Sequence, residues 1–438
     1  SIPSAFHLVA PRFGIAQAGY RTESSGAMMA DGYARIAGRI GLVTAMHGPA
    51  AALLAPGLGE ALKASIPVVA LVQEIDRRIA DRNAASEIDQ IALLGGVAKW
   101  IRRVDTHDRI DDYVDMAIAA ATSGRPGPAV LLAPINLFED EAQTQSGPRR
   151  TLPLGAYPLD RPSADPARIE EAADLIASAE RPLIIAGGGV HLSGACAALA
   201  ALQDLACLPV GTTTMGKGAV DERHTLSLGP TAYYLGQGSL ARSQRQIVAD
   251  ADLVILIGNR ANQNGTDSWR LYPRDARYIH IDIDGEEIGR NYEALRLLGD
   301  AKTTLEALMR ALETRDLSKR RNARGAIETR IAAGRAADRL QNAPTATIRP
   351  EYLMAEIDAR LTPDSIVVAD ASYASVWAAN NLTARAAGQR FLFPRGLAGL
   401  GWGLPLALGA KQAAPDKPVI AIVGDGGFAH AWSELETA

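Results

Sequence analysis

The chain has 438 residues, too many for one hydrophobic core, and this length predicts two or three domains. Hydrophobic content of 47%, charged content of 21% and a net charge of −4 describe an ordinary globular protein and exclude a broad basic footprint for nucleic acid. The two cysteines, Cys196 and Cys207, offer neither zinc spacing nor a disulfide framework. No apolar run approaches the ~18 residues of a membrane span, so a cytoplasmic protein without membrane or nucleic-acid partners is expected.

No signal peptide is visible, and the first residues read as the middle of a domain. From residue 1 to about 150, strand-like and helical runs alternate. Residues 41–46, 67–72 and 129–133 read as buried strands, and 24–36 and 111–122 as helices. Such alternation predicts a parallel sheet covered by helices. Glu23 stands at the start of the first of these helices, where a carboxyl group by itself reads as a cap or dipole partner. A Pro-rich polar stretch, 143–166, reads as a linker.

A second doubly wound unit follows over 165–312, with strands at 182–186, 253–257 and 278–283. Gly187-Gly188-Gly189 directly follows the first of them. Glycines in that place can cradle phosphates, but the GxGxxG spacing is lacking, and a tight strand-to-helix turn is the plain reading. Residues 314–342 are basic, Ala-rich and helical. Arg320, Arg321, Arg324 and Arg330 there read as a solvated connecting helix rather than an anion site.

The third unit opens with the strand 365–369 and Asp370-Ala371-Ser372. It ends with the apolar run 419–423, expected to be a strand buried on both faces, and Gly424-Asp425-Gly426. An Asp in a Gly turn at the carboxyl end of a parallel strand is placed where open α/β sheets bind ligands. Gly admits a phosphate close to the backbone, and Asp can hold a hard cation.

Taken together, these stretches resemble the thiamine-diphosphate enzymes of the acetolactate synthase, pyruvate oxidase and benzoylformate decarboxylase group. The resemblance is carried by Glu23 with MADGYARIAG, Gly48-Pro49 at 25 residues beyond it, Lys99-Trp100 and SGRPGP at 123–128. It continues in RPLIIAGGG, TTTMGKG at 212–218, HIDID at 280–284, Gly299-Asp300-Ala301, GLGWGLP at 399–405 and GDGGF at 424–428. It implies an α/β fold of three doubly wound parallel-sheet domains. These are a pyrimidine-binding domain (1–150) lacking its first strand, a central nucleotide-binding-like domain (165–312), a helical linker (313–345) and a diphosphate-binding domain (346–438) incomplete at its C-terminus. Relatives begin earlier and continue further, so both ends are expected to be cut short.

The resemblance also implies a site. Glu23 would hydrogen-bond the cofactor's pyrimidine ring and promote loss of the thiazolium C2 proton to the ring's own exocyclic nitrogen. Leu400, 25 residues before Asp425, would wedge the cofactor into a folded shape. The Ala398 carbonyl would face the exocyclic nitrogen, with Gly399, Gly48 and Pro49 beside the cofactor. Asp425 would ligate Mg²⁺, Gly424, Gly426 and Gly427 would receive the diphosphate, and Ser372 and Ser375 would contact it. Ser375 reads equally as a plain helix-start serine.

His47 is a candidate for proton transfer to or from the substrate adduct, though a lone histidine is more often structural. Gly187, Gly188, Gly189, Thr213, Arg260 and Asp282 are candidates for holding FAD or ADP. The implied reaction is decarboxylation of a 2-oxo acid and ligation of the product to a second 2-oxo acid. The alternative is simple decarboxylation or aldehyde lysis, which Ser372-Tyr373-Ala374-Ser375 and the absence of the family's usual Gln near Ala85-Ser86-Glu87 favour. The cofactor of the family lies between two chains, so a homodimer is the smallest expected form and a tetramer a larger one.

Overall fold

The computed structural model describes residues 2–139, 153–231, 242–337 and 347–438. The fold is α/β with three sheets. The first holds β1 (Gly41–Ala45), β2 (Val68–Glu74), β3 (Trp100–Arg103) and β4 (Ala129–Pro134) in the order β1-β2-β4-β3, all parallel. The second holds β5 (Pro182–Ala186), β6 (Val210–Thr212), β7 (Ser227–Pro230), β8 (Leu253–Ile257), β9 (Arg277–Asp282) and β10 (Leu295–Leu298). Its order is β10-β9-β8-β5-β6-β7, again parallel throughout. The third is β12 (Phe391–Leu392), β11 (Ile366–Ala369) and β13 (Val419–Ile422), in that order.

The chain divides into two compact units. One comprises Ser1–Asp160, Val368–Ser372 and Pro394–Ala438, so the first sheet and the C-terminal arm belong together. The other comprises Arg161–Val367 and Tyr373–Phe393. The division runs through β11.

In the first unit, helix Glu23–Ala37 packs along helix Gly403–Ala413. Small residues make this approach possible. A Cβ on Gly32 would run into the Leu406 carbonyl, and one on Gly409 into that of Met29. The two backbones therefore touch.

The second unit explains why its strands read as continuous apolar runs. Ile184, Ile255 and Ile279 face helices Pro166–Ser178, Cys196–Leu205 and Ala301–Glu313 on one side. Their neighbours Leu183, Ile185, Val254 and Leu256 face Val248, Leu271 and Ile331 on the other. Both faces are covered, so there is no polar alternation.

Two expectations are corrected here. The strand Val419–Ile422 is not buried on both faces; its residues are half-buried and Ala421 is exposed, because β13 is the edge of a three-stranded sheet. Arg320 is not a solvated residue of a connecting helix. In helix Ser318–Ala337 it is only 1% exposed and donates Nη2 to the Glu180 carbonyl at 2.7 Å. Parts of two expected segments, 143–152 of the linker and 338–342 of the basic helix, lie outside the described residues. No helix among the described residues is long and apolar enough to cross a membrane.

Two histidines of the second unit are held neutral. Burial pushes His280, 2% exposed, down to about 4. Burial, with Arg390 nearby, pushes His191 down to about 3. Both take up protons near pH ~6.5 when unfolded. Their stabilisation is therefore complete above that pH and is lost as pH falls toward 4 and 3. His280 alone costs ~2 kcal/mol between pH 7 and 5. Urea unfolding of the wild type should show that loss, and His280→Asn should lack this share of it.

Candidate active site

Glu23 is the first residue of helix Glu23–Ala37, which is capped by the residue before it. Thr22 is extended, and its hydroxyl accepts the Ser25 N–H at 3.2 Å. The Glu23 carboxylate is thus not consumed by the cap. It is half-buried beside Tyr20, whose hydroxyl donates to the Thr44 carbonyl. Burial, and then the Glu23 charge, push the Tyr20 phenol up to about 12.

The start of this helix is tied down from two directions. The buried Glu434 carboxylate accepts the Arg21 N–H at 3.0 Å and the Thr22 N–H at 3.3 Å. Ser24 donates its hydroxyl to the Leu53 carbonyl at 2.5 Å, joining the helix that starts at Pro49. That helix follows the end of β1, where His47 is half-buried. Its Nδ1 is buried and makes no hydrogen bond among the described residues. Gly48 has φ +67°, open to Gly at little cost, and donates to Gln90 Oε1 at 3.1 Å. Gln90 in turn donates to the Gln73 carbonyl at 2.9 Å and is 2% exposed.

The turn 396–402 is built from the other side. Asp370, 1% exposed, accepts from Gly401 at 2.9 Å and from Trp402 and Gly403 at 3.1 Å. One carboxylate therefore caps helix Gly403–Ala413 and fixes the turn before it. Ala398 takes φ +62°, a conformation that a Cβ disfavours. Gly399 lies under the Trp402 ring, and Leu400 is 50% exposed.

At the C-terminal arm, Gly424 caps helix Asp425–Ala431. Gly424, Asp425 and Gly426 are exposed, and nothing lies within 4 Å of where a Cβ would stand on either glycine. Gly427 differs: it is buried against Asp370. Ser372 is exposed in the same unit, with φ +64°. Ser375 is fully buried in helix Tyr373–Asn381. No cluster of three or more potential metal-ligating His, Cys, Asp or Glu exists among the described residues.

In the second unit, Gly187, Thr213, Arg260 and Asp282 all follow or end neighbouring strands at the carboxyl edge of the sheet. That edge is where such sheets bind ligands. The glycine run itself is spent on packing. Cβ atoms on Gly187 and Gly189 would strike Gly258, and one on Gly188 would approach Met215 Cβ at 3.1 Å. Thr213 caps the turn Thr214–Gly216, accepting from Gly216 at 3.2 Å, and Asp282 accepts from Asp284 at 2.9 Å.

Sequence reasoning missed Glu60, Gln90, Asp370 as a cap, and Glu434. Each works by receiving or bridging backbone groups far away along the chain, which leaves no local pattern.

The half-buried Glu23, the turn of Ala398 and Leu400 and the exposed Gly424-Asp425-Gly426 edge are the candidate contacts that this chain offers. Residues 4–93 match the N-terminal TPP binding domain of thiamine pyrophosphate enzymes, 169–308 the central domain and 370–438 the C-terminal TPP binding domain. The chain belongs to the thiamine pyrophosphate enzymes. Among its relatives is the probable acetolactate synthase large subunit of Methanococcus aeolicus, 32% identical over 95% of this chain and 71% of that protein. The corresponding Methanocaldococcus jannaschii protein is 33% identical over 95% of this chain and 70% of its own length. The acetolactate synthase of Mycobacterium bovis is 31% identical over 95% of this chain and 66% of its own length.

Proposed function

We propose that this enzyme decarboxylates a 2-oxo acid such as pyruvate and joins the remaining fragment to a second 2-oxo acid, as its acetolactate synthase relatives are named for doing. The observation that carries this reading is the Glu23 carboxyl, half-buried and unused by its helix cap, in a chain similar to those relatives over 95% of its length. Thiamine diphosphate supplies a carbon nucleophile and an electron sink when bound.

The chain's residues prepare that chemistry. The half-buried Glu23 would hold a proton at the pyrimidine ring nitrogen. The turn at Ala398 offers a fixed carbonyl, and Leu400 an apolar support, so cofactor geometry is set before substrate arrives. Gly424, Gly426 and Gly427 would receive the diphosphate, and Asp425 would hold Mg²⁺. Gly48, Pro49 and Gly399 border the cofactor, with Ser372 at the diphosphate end. His47, whose buried Nδ1 has no partner among the described residues, would be the candidate to exchange a proton with substrate. A homodimer or tetramer in the cytoplasm is the proposed working form.

The second reading, decarboxylation or aldehyde lysis, is supported by Ser372-Tyr373-Ala374-Ser375 and by the absence of the family's usual Gln at Ala85-Ser86-Glu87. Incubation with pyruvate, thiamine diphosphate and Mg²⁺ separates the two. Acetolactate is the expected product; free aldehyde without acetolactate would assign the second reading. Gly187, Gly188, Gly189, Thr213, Arg260 and Asp282 would border FAD or ADP at the sheet edge, and flavin absorbance of the purified protein reports the former.

A further inference from the structure

Glu60 has no role in the chemistry outlined above, yet its environment is unusual. It lies in helix Pro49–Ala64 with no solvent exposure. Its carboxylate accepts three successive backbone N–H groups from a segment over 330 residues away: Gly396 at 2.7 Å, Leu397 at 2.6 Å and Ala398 at 3.4 Å. The same carboxylate faces the Arg35 guanidinium at 3.6 Å. Arg35 is itself paired with Asp31, Nη2 to Oδ2 at 3.1 Å. Asp31 and Arg35 both sit on the helix that begins with Glu23.

A carboxylate buried this completely is costly unless it is paired and hydrogen-bonded. Here burial raises the Glu60 carboxyl above its usual range, while Arg35 and the Gly396 and Leu397 N–H groups oppose that. What the carboxylate fixes is specific. Ala398 is held at φ +62°, where an L-residue is strained, in the turn that leads to Leu400. Gly396 leaves no room for adjustment, since a Cβ there would stand 2.6 Å from the Glu60 carbonyl and 2.8 Å from Oε2.

We infer that Glu60 is a positioning residue for the cofactor: braced by Arg35 and Asp31, it holds the 396–398 turn in the form that presents the Ala398 carbonyl. The inference rests on the reading that this turn faces thiamine diphosphate.

Glu60→Gln keeps the volume and one acceptor oxygen but loses the charge and the second acceptor. In the full chain with Mg²⁺, it should raise the thiamine diphosphate Kd about tenfold, read by tryptophan fluorescence, with Trp402 inside the turn. Gly396→Ala disturbs the same clamp without touching the charge and should weaken binding in the same direction. Adding Ala398→Gly to Glu60→Gln should recover most of the lost affinity, because glycine adopts this φ without the clamp. A purely structural role would lower thermal stability without that recovery. Glu60→Gln and Gly396→Ala proteins that both bind with wild-type Kd overturn the inference, as does a deficit that Ala398→Gly leaves unchanged. Wild-type protein that does not bind thiamine diphosphate overturns instead the cofactor reading beneath it.

Discussion

Glu23→Gln should lower turnover by about 10²- to 10⁴-fold and slow proton exchange at C2 of bound thiamine diphosphate to a similar degree. The reason is that glutamine keeps the shape and a hydrogen-bonding carbonyl but cannot hold the proton at the ring nitrogen. The helix should survive the change, since Thr22 rather than Glu23 supplies the cap. Loss of a first-turn carboxylate costs only ~0.3–1 kcal/mol in dipole interaction. A second signature distinguishes a local effect from a general one. The Glu23 charge is part of what holds the Tyr20 phenol up at about 12, so its absorbance titration should shift downward in the variant. Wild-type C2 exchange in a cofactor-loaded Glu23→Gln protein would remove Glu23 from the mechanism.

Lys217→Met should have the largest effect on stability, about 3–5 kcal/mol in urea unfolding of the second unit. Lys217 is 1% exposed, and its ammonium donates to both oxygens of Glu222 at 2.9 and 2.7 Å. It also lies 5.0 Å from the centre of the Phe391 ring. Methionine fills nearly the same volume but leaves the Glu222 carboxylate buried with only the Ala384 N–H, at 2.9 Å, as a strong partner. The pair pins the turn after β6 to the segment before β12. Replacing both members, Lys217→Met with Glu222→Leu, should recover much of the loss, because no buried charge is then left alone. A single variant destabilised by under ~1 kcal/mol would contradict this account.

Several features of the fold were legible along the chain because they are local. The buried strands read as short apolar runs, and the structure has strands at Pro182–Ala186 and Leu253–Ile257 as expected. The helix beginning at Glu23 was visible from its polar start and small apolar face, and it runs Glu23–Ala37. The motif MADGYARIAG was recognisable as a signature, but its meaning was not. Only in the folded chain do Asp31 and Arg35 form a buried pair on that helix.

The limits of the sequence follow from the same physics. Glu60 meets Gly396 across 336 residues, Glu434 meets Arg21 across 413, and Gln90 meets Gly48 across 42. A hydrogen bond from a side chain to a distant backbone leaves no period and no spacing to read. Local apolarity likewise cannot tell an edge strand from a central one, and so Val419–Ile422 was expected to be more buried than it is. Nor can local charge tell a solvated arginine from Arg320, whose long stem and head are enclosed by its neighbours. The sequence by itself determined the α/β pattern, the family and the residue types available for thiamine diphosphate. Tertiary structure alone decided which carboxylates hold backbone: Asp370, Glu434 and Glu60 accept N–H groups from segments distant along the chain, which no local pattern marks.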